Sequence, residues 1–275
     1  MILQLQGILV GVLIAVVVTG TVSYIIYSHI KPRASAEVYY AYPSRAYFGI
    51  GFSYRVLCAI FYLVVLIFQL ANDSFSIYQY YTVWNFTLQL VYFAWSAGFM
   101  ALQATTPVAT PIRASSTYKR LNTLFDWALT ASFVVVIVFW TMLWYPGYNL
   151  TVYSISEHAV NNVLLLIEFV LNDYYVRQTS VIYPCLLWPA LYAAWACLSY
   201  VTWLGSWPYN FLRLDRNSAI GYYIGVLVGH FVLFGVALLL SMVKRKLKPS
   251  VVAAPPNLSE PLQSSIELRS VQVQS

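Results

Sequence analysis

Long apolar runs separated by short polar breaks dominate this chain of 275 residues. An α-helix rises 1.5 Å per residue, so about 20 apolar residues cross a bilayer core. On that measure the pattern predicts helices over 5–27, 48–70, 77–102, 124–145, 152–173, 181–203 and 218–243. Pro146-Gly147 closes the fourth run, and Pro184 and Pro189 bend the sixth, which neighbouring helices can accommodate. The predicted fold is all-α, a polytopic transmembrane bundle of seven spans. An extra N-terminal span of signal-anchor type (1–30) leads through a cytosolic connector (31–47) to a six-span core (48–243). A basic junction and a disordered cytosolic tail follow (244–275). The first run lacks a basic start and exceeds the 7–15 residue apolar region of a secretory signal, although Ala34-Ser35-Ala36 has the small-residue pattern of a cleavage site. No internal repeat is visible.

Two of these runs carry polar side chains at helical spacing. In the third, Thr82, Asn85, Gln89 and Ser96 fall on one stripe. In the fifth, His158, Asn161, Leu165, Glu168 and Asn172 do. Polar and ionisable groups are costly in a span and usually face a bundle interior, which makes them functional-site candidates. The competing reading is interhelical hydrogen bonding without chemistry. His230, in the middle of the last run, reads as a satisfied interior histidine. Asp126 reads as a helix-start residue favoured by the dipole. Arg55 lies in the first turns of its span and is expected to snorkel outward.

Composition narrows the class further. Hydrophobic residues make up 60% of the chain and charged residues 9%, against about 25% charged in a soluble domain. The net charge of +6 comes from clusters beside the spans, so nucleic acid is not implied. With the N-terminus outside, Lys31, Arg33, Arg45, Arg113, Lys119, Arg120, Arg177, Lys244, Arg245, Lys246 and Lys248 all fall on inner segments. Only Arg213 and Arg216 fall on outer loops. The apolar runs predict an integral protein of the plasma membrane or an endomembrane, and the positive-inside rule puts its N-terminus outside or lumenal and its C-terminus in the cytosol. Sequons at Asn72 and Asn149 fall on outer loops, and a third at Asn257 falls in the inner tail. Cys58, Cys185 and Cys197 lie in apolar runs and read as buried thiols; no metal site or cofactor is expected.

That topology places Thr82 and His158 at similar shallow depth on the outer side. A threonine hydroxyl needs a base to become a nucleophile, and histidine titrates in the right range. Asn161 or Asn162, one turn along, would orient the imidazole. Glu168 lies about 15 Å below His158 along a straight helix, so it is expected deeper, bonded to another span or protonated. No G-x-S-x-G elbow is present, since Gly51-Phe52-Ser53 runs on into Tyr54-Arg55, and there is no H-E-x-x-H zinc motif.

Three segments resemble the family of the androgen-induced membrane hydrolases and rolling stone proteins. YYTVWNFTLQ resembles the family's early-span segment, with Thr82 at the nucleophile position. EHAVNNVLLLIEF resembles its later segment, in which the catalytic His is followed ten residues on by Glu, here His158 and Glu168. FWTMLWY and WPYNFL resemble aromatic segments of the rolling stone and plant-like branches. The resemblance implies a six-span core with both ends cytosolic. It also implies metal-independent hydrolysis of lipid esters, such as fatty acid esters of hydroxy fatty acids, by a threonine hydrolase. Thr82 and His158 would be catalytic, and Asn85, Gln89, Asn161, Asn162 and Glu168 would support the substrate or the catalytic pair. The extra first span and Asn210 in WPYNFL depart from the hydrolase branch. The alternatives are a noncatalytic, rolling stone-like protein of cell fusion or adhesion, and a seven-span receptor or transporter. The common receptor signatures are missing: Met100-Ala101-Leu102-Gln103 is no acidic-Arg-aromatic triplet, and the last span has no Asn-Pro-x-x-Tyr.

Overall fold

A computed structural model describes residues 2–30, 38–40, 45–104, 111–113 and 116–247. The Ala34-Ser35-Ala36 triplet, most of the predicted connector and the tail from residue 248 lie outside the described residues. Among these residues seven long helices follow in chain order: α1 (Ile2–Ile30), α2 (Arg45–Asp73), α3 (Tyr81–Leu102), α4 (Ser116–Leu143), α5 (Val152–Leu171), α6 (Gln178–Leu204) and α7 (Ala219–Leu247). A short ribbon pairs β1 (Val38–Tyr40) antiparallel with β2 (Pro111–Arg113).

Six of the helices are long and apolar enough to cross a membrane, and α3 is the exception. Its Asn, Gln, Thr and Tyr content lowers its apolarity, and the fold compensates by enclosing it. Thr82, Asn85, Gln89, Tyr92 and Ser96 all face inward and are buried. The outer surface is the reverse. Leu57, Phe68, Val170, Val201, Val232 and Leu239 stand exposed, as suits side chains facing lipid rather than water. An all-α bundle that exposes apolar side chains all round and encloses its polar ones is an integral multipass membrane protein.

The helices alternate in direction. At one end the β1–β2 ribbon joins the α1–α2 and α3–α4 connectors. At that same end Ser241 of α7 accepts from the Val176 N–H, and Asn122 of α4 donates to the Tyr175 carbonyl. At the opposite end the Gln6 amide donates to the Asn217 carbonyl and accepts from the Ile220 N–H. The tight α2–α3 turn is held there by α6: the Tyr192 hydroxyl donates to the Gln79 carbonyl and the Trp195 indole to that of Tyr78. These aromatic donors satisfy carbonyls that a helix end would otherwise leave unpaired.

Two sequence expectations give way. Arg55 does not snorkel outward. It is buried, with Nε at 3.0 Å and Nη2 at 2.7 Å from Glu168 Oε1, because a carboxylate on α5 offers better compensation than the membrane boundary. Asp126 is not a helix-start residue. α4 begins at Ser116, so Asp126 lies well inside it and is fully buried. It accepts from Asn122 at 3.0 Å, the Ser180 hydroxyl at 2.5 Å and the Arg177 N–H at 3.2 Å, and so docks the α5–α6 loop.

Candidate functional site

α5 begins where Thr151 caps its first turn, accepting from the Ser154 N–H at 3.1 Å. The next turn, Ser156–Val160, is π-helical. Read back from Asn161 in a regular helix, His158 (i−3) and Glu157 (i−4) have equal claims to the inner stripe. The π turn adds a residue and gives that place to Glu157. The Thr82 hydroxyl donates to Glu157 Oε2 at 3.4 Å, and the Gln69 side chain lies against this carboxylate. The Tyr209 hydroxyl lies against Thr82 and accepts from the Tyr81 N–H at 3.1 Å. Burial raises the affinity of the Tyr209 phenol for its proton above the ordinary range, so this loop side chain remains a donor.

His158 is turned toward α4. Its ring stacks on Phe139 with centroids 3.7 Å apart, and its Nδ1–H donates to the Ser154 carbonyl at 2.7 Å. No hydrogen bond joins Thr82 to His158 among the described residues; Thr82 meets the carboxylate next to that histidine. Nor do Asn161 and Asn162 orient the imidazole. The Asn161 Oδ1 accepts from the Asn162 N–H, and the Asn162 amide donates to Ser132 of α4 at 3.0 Å. Glu168 is, as expected, deep in the bundle and bonded to another span: besides Arg55 it accepts from Tyr92 at 2.7 Å. Asn85 and Gln89 are fully buried on the α3 stripe.

Thr82 opens onto a cavity walled by Leu13 and Ile14 of α1, Val134 and Phe139 of α4, Tyr192 of α6 and Leu227 of α7. Its empty space, open mouth included, is about 840 Å³. Polar groups are few. Beside Thr82 and Tyr209, the cavity meets His230, whose Nε2 accepts from the Tyr81 hydroxyl at 2.8 Å and whose Nδ1–H donates to the Val226 carbonyl at 2.7 Å. His230 is thus satisfied, as expected, but it also lines a cavity.

Sequence reasoning missed Glu157, Tyr209 and the Tyr81–His230 pair. Glu157 carried a usable signal, an acidic residue one turn before Asn161. Tyr209 lies in WPYNFL, which the resemblance flagged without a role. Among the described residues no group of histidine, cysteine and acidic side chains is arranged to hold a metal. Chemically, the site offers a hydroxyl nucleophile, a carboxylate to take its proton, and a phenol donor beside an apolar cavity. Against family models, curated proteins and solved structures the chain finds no match.

Proposed function

We propose that this protein is a multipass membrane hydrolase of lipid esters, of the kind the family resemblance implies, with Thr82 as nucleophile and Glu157 as its base. One observation carries the reading: the Thr82 hydroxyl stands at the polar edge of an apolar cavity and donates to a buried carboxylate. The acyl or alkyl part of the ester occupies the cavity. Glu157 takes the hydroxyl proton while Oγ1 bonds the ester carbonyl carbon, and Tyr209 donates to the developing oxyanion. The ester C–O bond breaks, and the departing alkoxide takes the proton from Glu157. Water then attacks the acyl-threonine, gives a proton to Glu157 and releases the acid, and Thr82 recovers its proton. The basic clusters support an N-terminus outside and a C-terminus in the cytosol.

The test is labelling by a fluorophosphonate probe and turnover of a chromogenic fatty ester, in membranes holding the full chain. Thr82→Ala and Glu157→Gln should each abolish labelling and turnover. His158→Phe, which preserves the stack on Phe139, should retain both. Loss with His158→Phe and retention with Glu157→Gln would return the base role to the histidine. An unlabelled but folded wild type would overturn the proposal.

A second reading, a noncatalytic lipid-binding member of the rolling stone type, draws on His158. Its Nδ1 is held by its own helix and its ring by Phe139, as in a packing role. An ester that binds without turnover would favour it.

A further inference from the structure

A polar seam continues inward from Thr82 between α2, α3 and α5. On α3, Thr82, Asn85, Gln89 and Tyr92 follow one another at three- and four-residue steps, so they stack along one face. Across from them stand Tyr62 of α2 and Asn161 of α5. The Tyr62 hydroxyl donates to the Gln89 Oε1 and lies 3.3 Å from the Asn161 carbonyl, which joins the three helices at one point. The seam ends outward at Gln69 and Glu157, and inward at Glu168.

Asn85, Gln89, Asn161 and Glu168 are each 0% exposed. Yet both polar atoms of Asn85, Gln89 Nε2, Asn161 Nδ2 and Glu168 Oε2 have no protein partner, and neither have Gln69 Oε1 and Glu157 Oε1 at the outer end. An unpaired buried polar group costs about 1–3 kcal/mol. Several along one seam are more than a fold retains without a ligand that satisfies them. The free groups are mainly amide N–H donors in the middle and carboxylate or amide acceptors at the ends. Water both donates and accepts, and it matches such a sequence where an ion of either sign would match only part of it.

We propose that this seam is a binding site for a file of water molecules that reaches Thr82 and Glu157, and that it supplies the water which hydrolyses the acyl-threonine. The first half stands on the unpaired groups alone. The second rests on the hydrolase reading above. The cavity is walled mainly by apolar side chains and filled by the substrate's chain during reaction, so a route from behind the nucleophile delivers water without displacing the ester.

The file is tested by pulsed hydroxyl-radical oxidation of the full chain in lipid nanodiscs in ¹⁸O water, read by mass spectrometry. Tyr62, although buried, should gain oxygen at a rate comparable to exposed Tyr145, while Phe234, equally buried in an apolar setting, should not. Gln89→Met should slow oxidation at Tyr62 about tenfold, as expected for loss of one hydrogen-bond's worth of water affinity, with buried Phe234 still protected as the sign of an intact fold. Tyr62 oxidised no faster than Phe234 in the wild type would overturn the file. The supply role is tested with a p-nitrophenyl ester: Gln89→Met should release a stoichiometric burst and then turn over about tenfold more slowly. Turnover equal to wild type would overturn the supply role. Absence of any burst or turnover in the wild type would overturn the hydrolase reading and the supply role with it, and the oxidation result would still decide the file.

Discussion

Breaking the Arg55–Glu168 pair one partner at a time should be far more damaging than removing it whole. The guanidinium makes two hydrogen bonds to Glu168 Oε1, at 2.7 and 3.0 Å, inside the bundle. Arg55→Met leaves the carboxylate with the Tyr92 hydroxyl and a 3.4 Å contact from Asn172 as its remaining protein donors. Uncompensated buried charge of this kind costs about 3–5 kcal/mol, whereas replacing both partners with apolar residues is often neutral or stabilising. Arg55→Met should therefore lower the folded-to-unfolded ratio by roughly a hundredfold or more. Arg55→Met/Glu168→Leu should recover most of that. The assay is reversible unfolding of the full chain in mixed micelles, followed by the fluorescence of its 9 tryptophans. A loss below about 1 kcal/mol for Arg55→Met, the size of a surface pair, would refute the reasoning. So would a double variant as unstable as the two singles summed.

Three smaller perturbations test other joints of the fold by the same unfolding assay. Asp126→Ala takes the carboxylate away from the Arg177 N–H and should cost about 1–3 kcal/mol, with Asp126→Asn milder because it keeps an acceptor. Thr151→Ala removes the cap of α5 and should cost about 1 kcal/mol; no loss would mean that the π turn, not the cap, sets the start of the helix. Gly205 ends α6 at φ +63°, so Gly205→Ala should cost about 1–2 kcal/mol from left-handed strain.

The helical bundle was legible because seven apolar runs admit few other structures, and the buried stripe of α3, with that of α5 from Asn161 onward, followed from periodicity. Partner choice was not legible. Arg55 had two physically sound destinations, the membrane boundary or a carboxylate, and only tertiary placement of Glu168 decides between them. The same holds for Thr82. A regular helix leaves Glu157 and His158 equally eligible to face it, and one extra residue in a π turn settles the matter. Asp126 was misplaced for a plainer reason: its helix starts eight residues earlier than the apolar run, in Ser116–Thr123, whose polar side chains sit at the bundle's end and need no lipid. The cavity was invisible in sequence because its wall is assembled from five helices and a loop, each contributing residues that look like ordinary packing.

Among those walls, α1 lends itself to a direct test of where a lipid binds. The helix is held to the rest of the bundle at its start by Gln6, and it presents Leu13, Ile14 and Val17 to the cavity. Its opposite face, including Val12 and Val16, is exposed. Ile14→Trp adds an indole to the wall without touching Thr82 or Glu157, so it should weaken binding of a dansyl-labelled long-chain fatty ester about tenfold, one steric contact's worth. Val12→Trp makes the same chemical change two residues away, on the lipid-facing side, and should leave binding unchanged. Equal affinities for the two variants would show that the ester does not enter this cavity. Thr82 would then be a packing hydroxyl bonded to a buried acid, and the hydrolase and lipid-binding readings of this cavity would fall together.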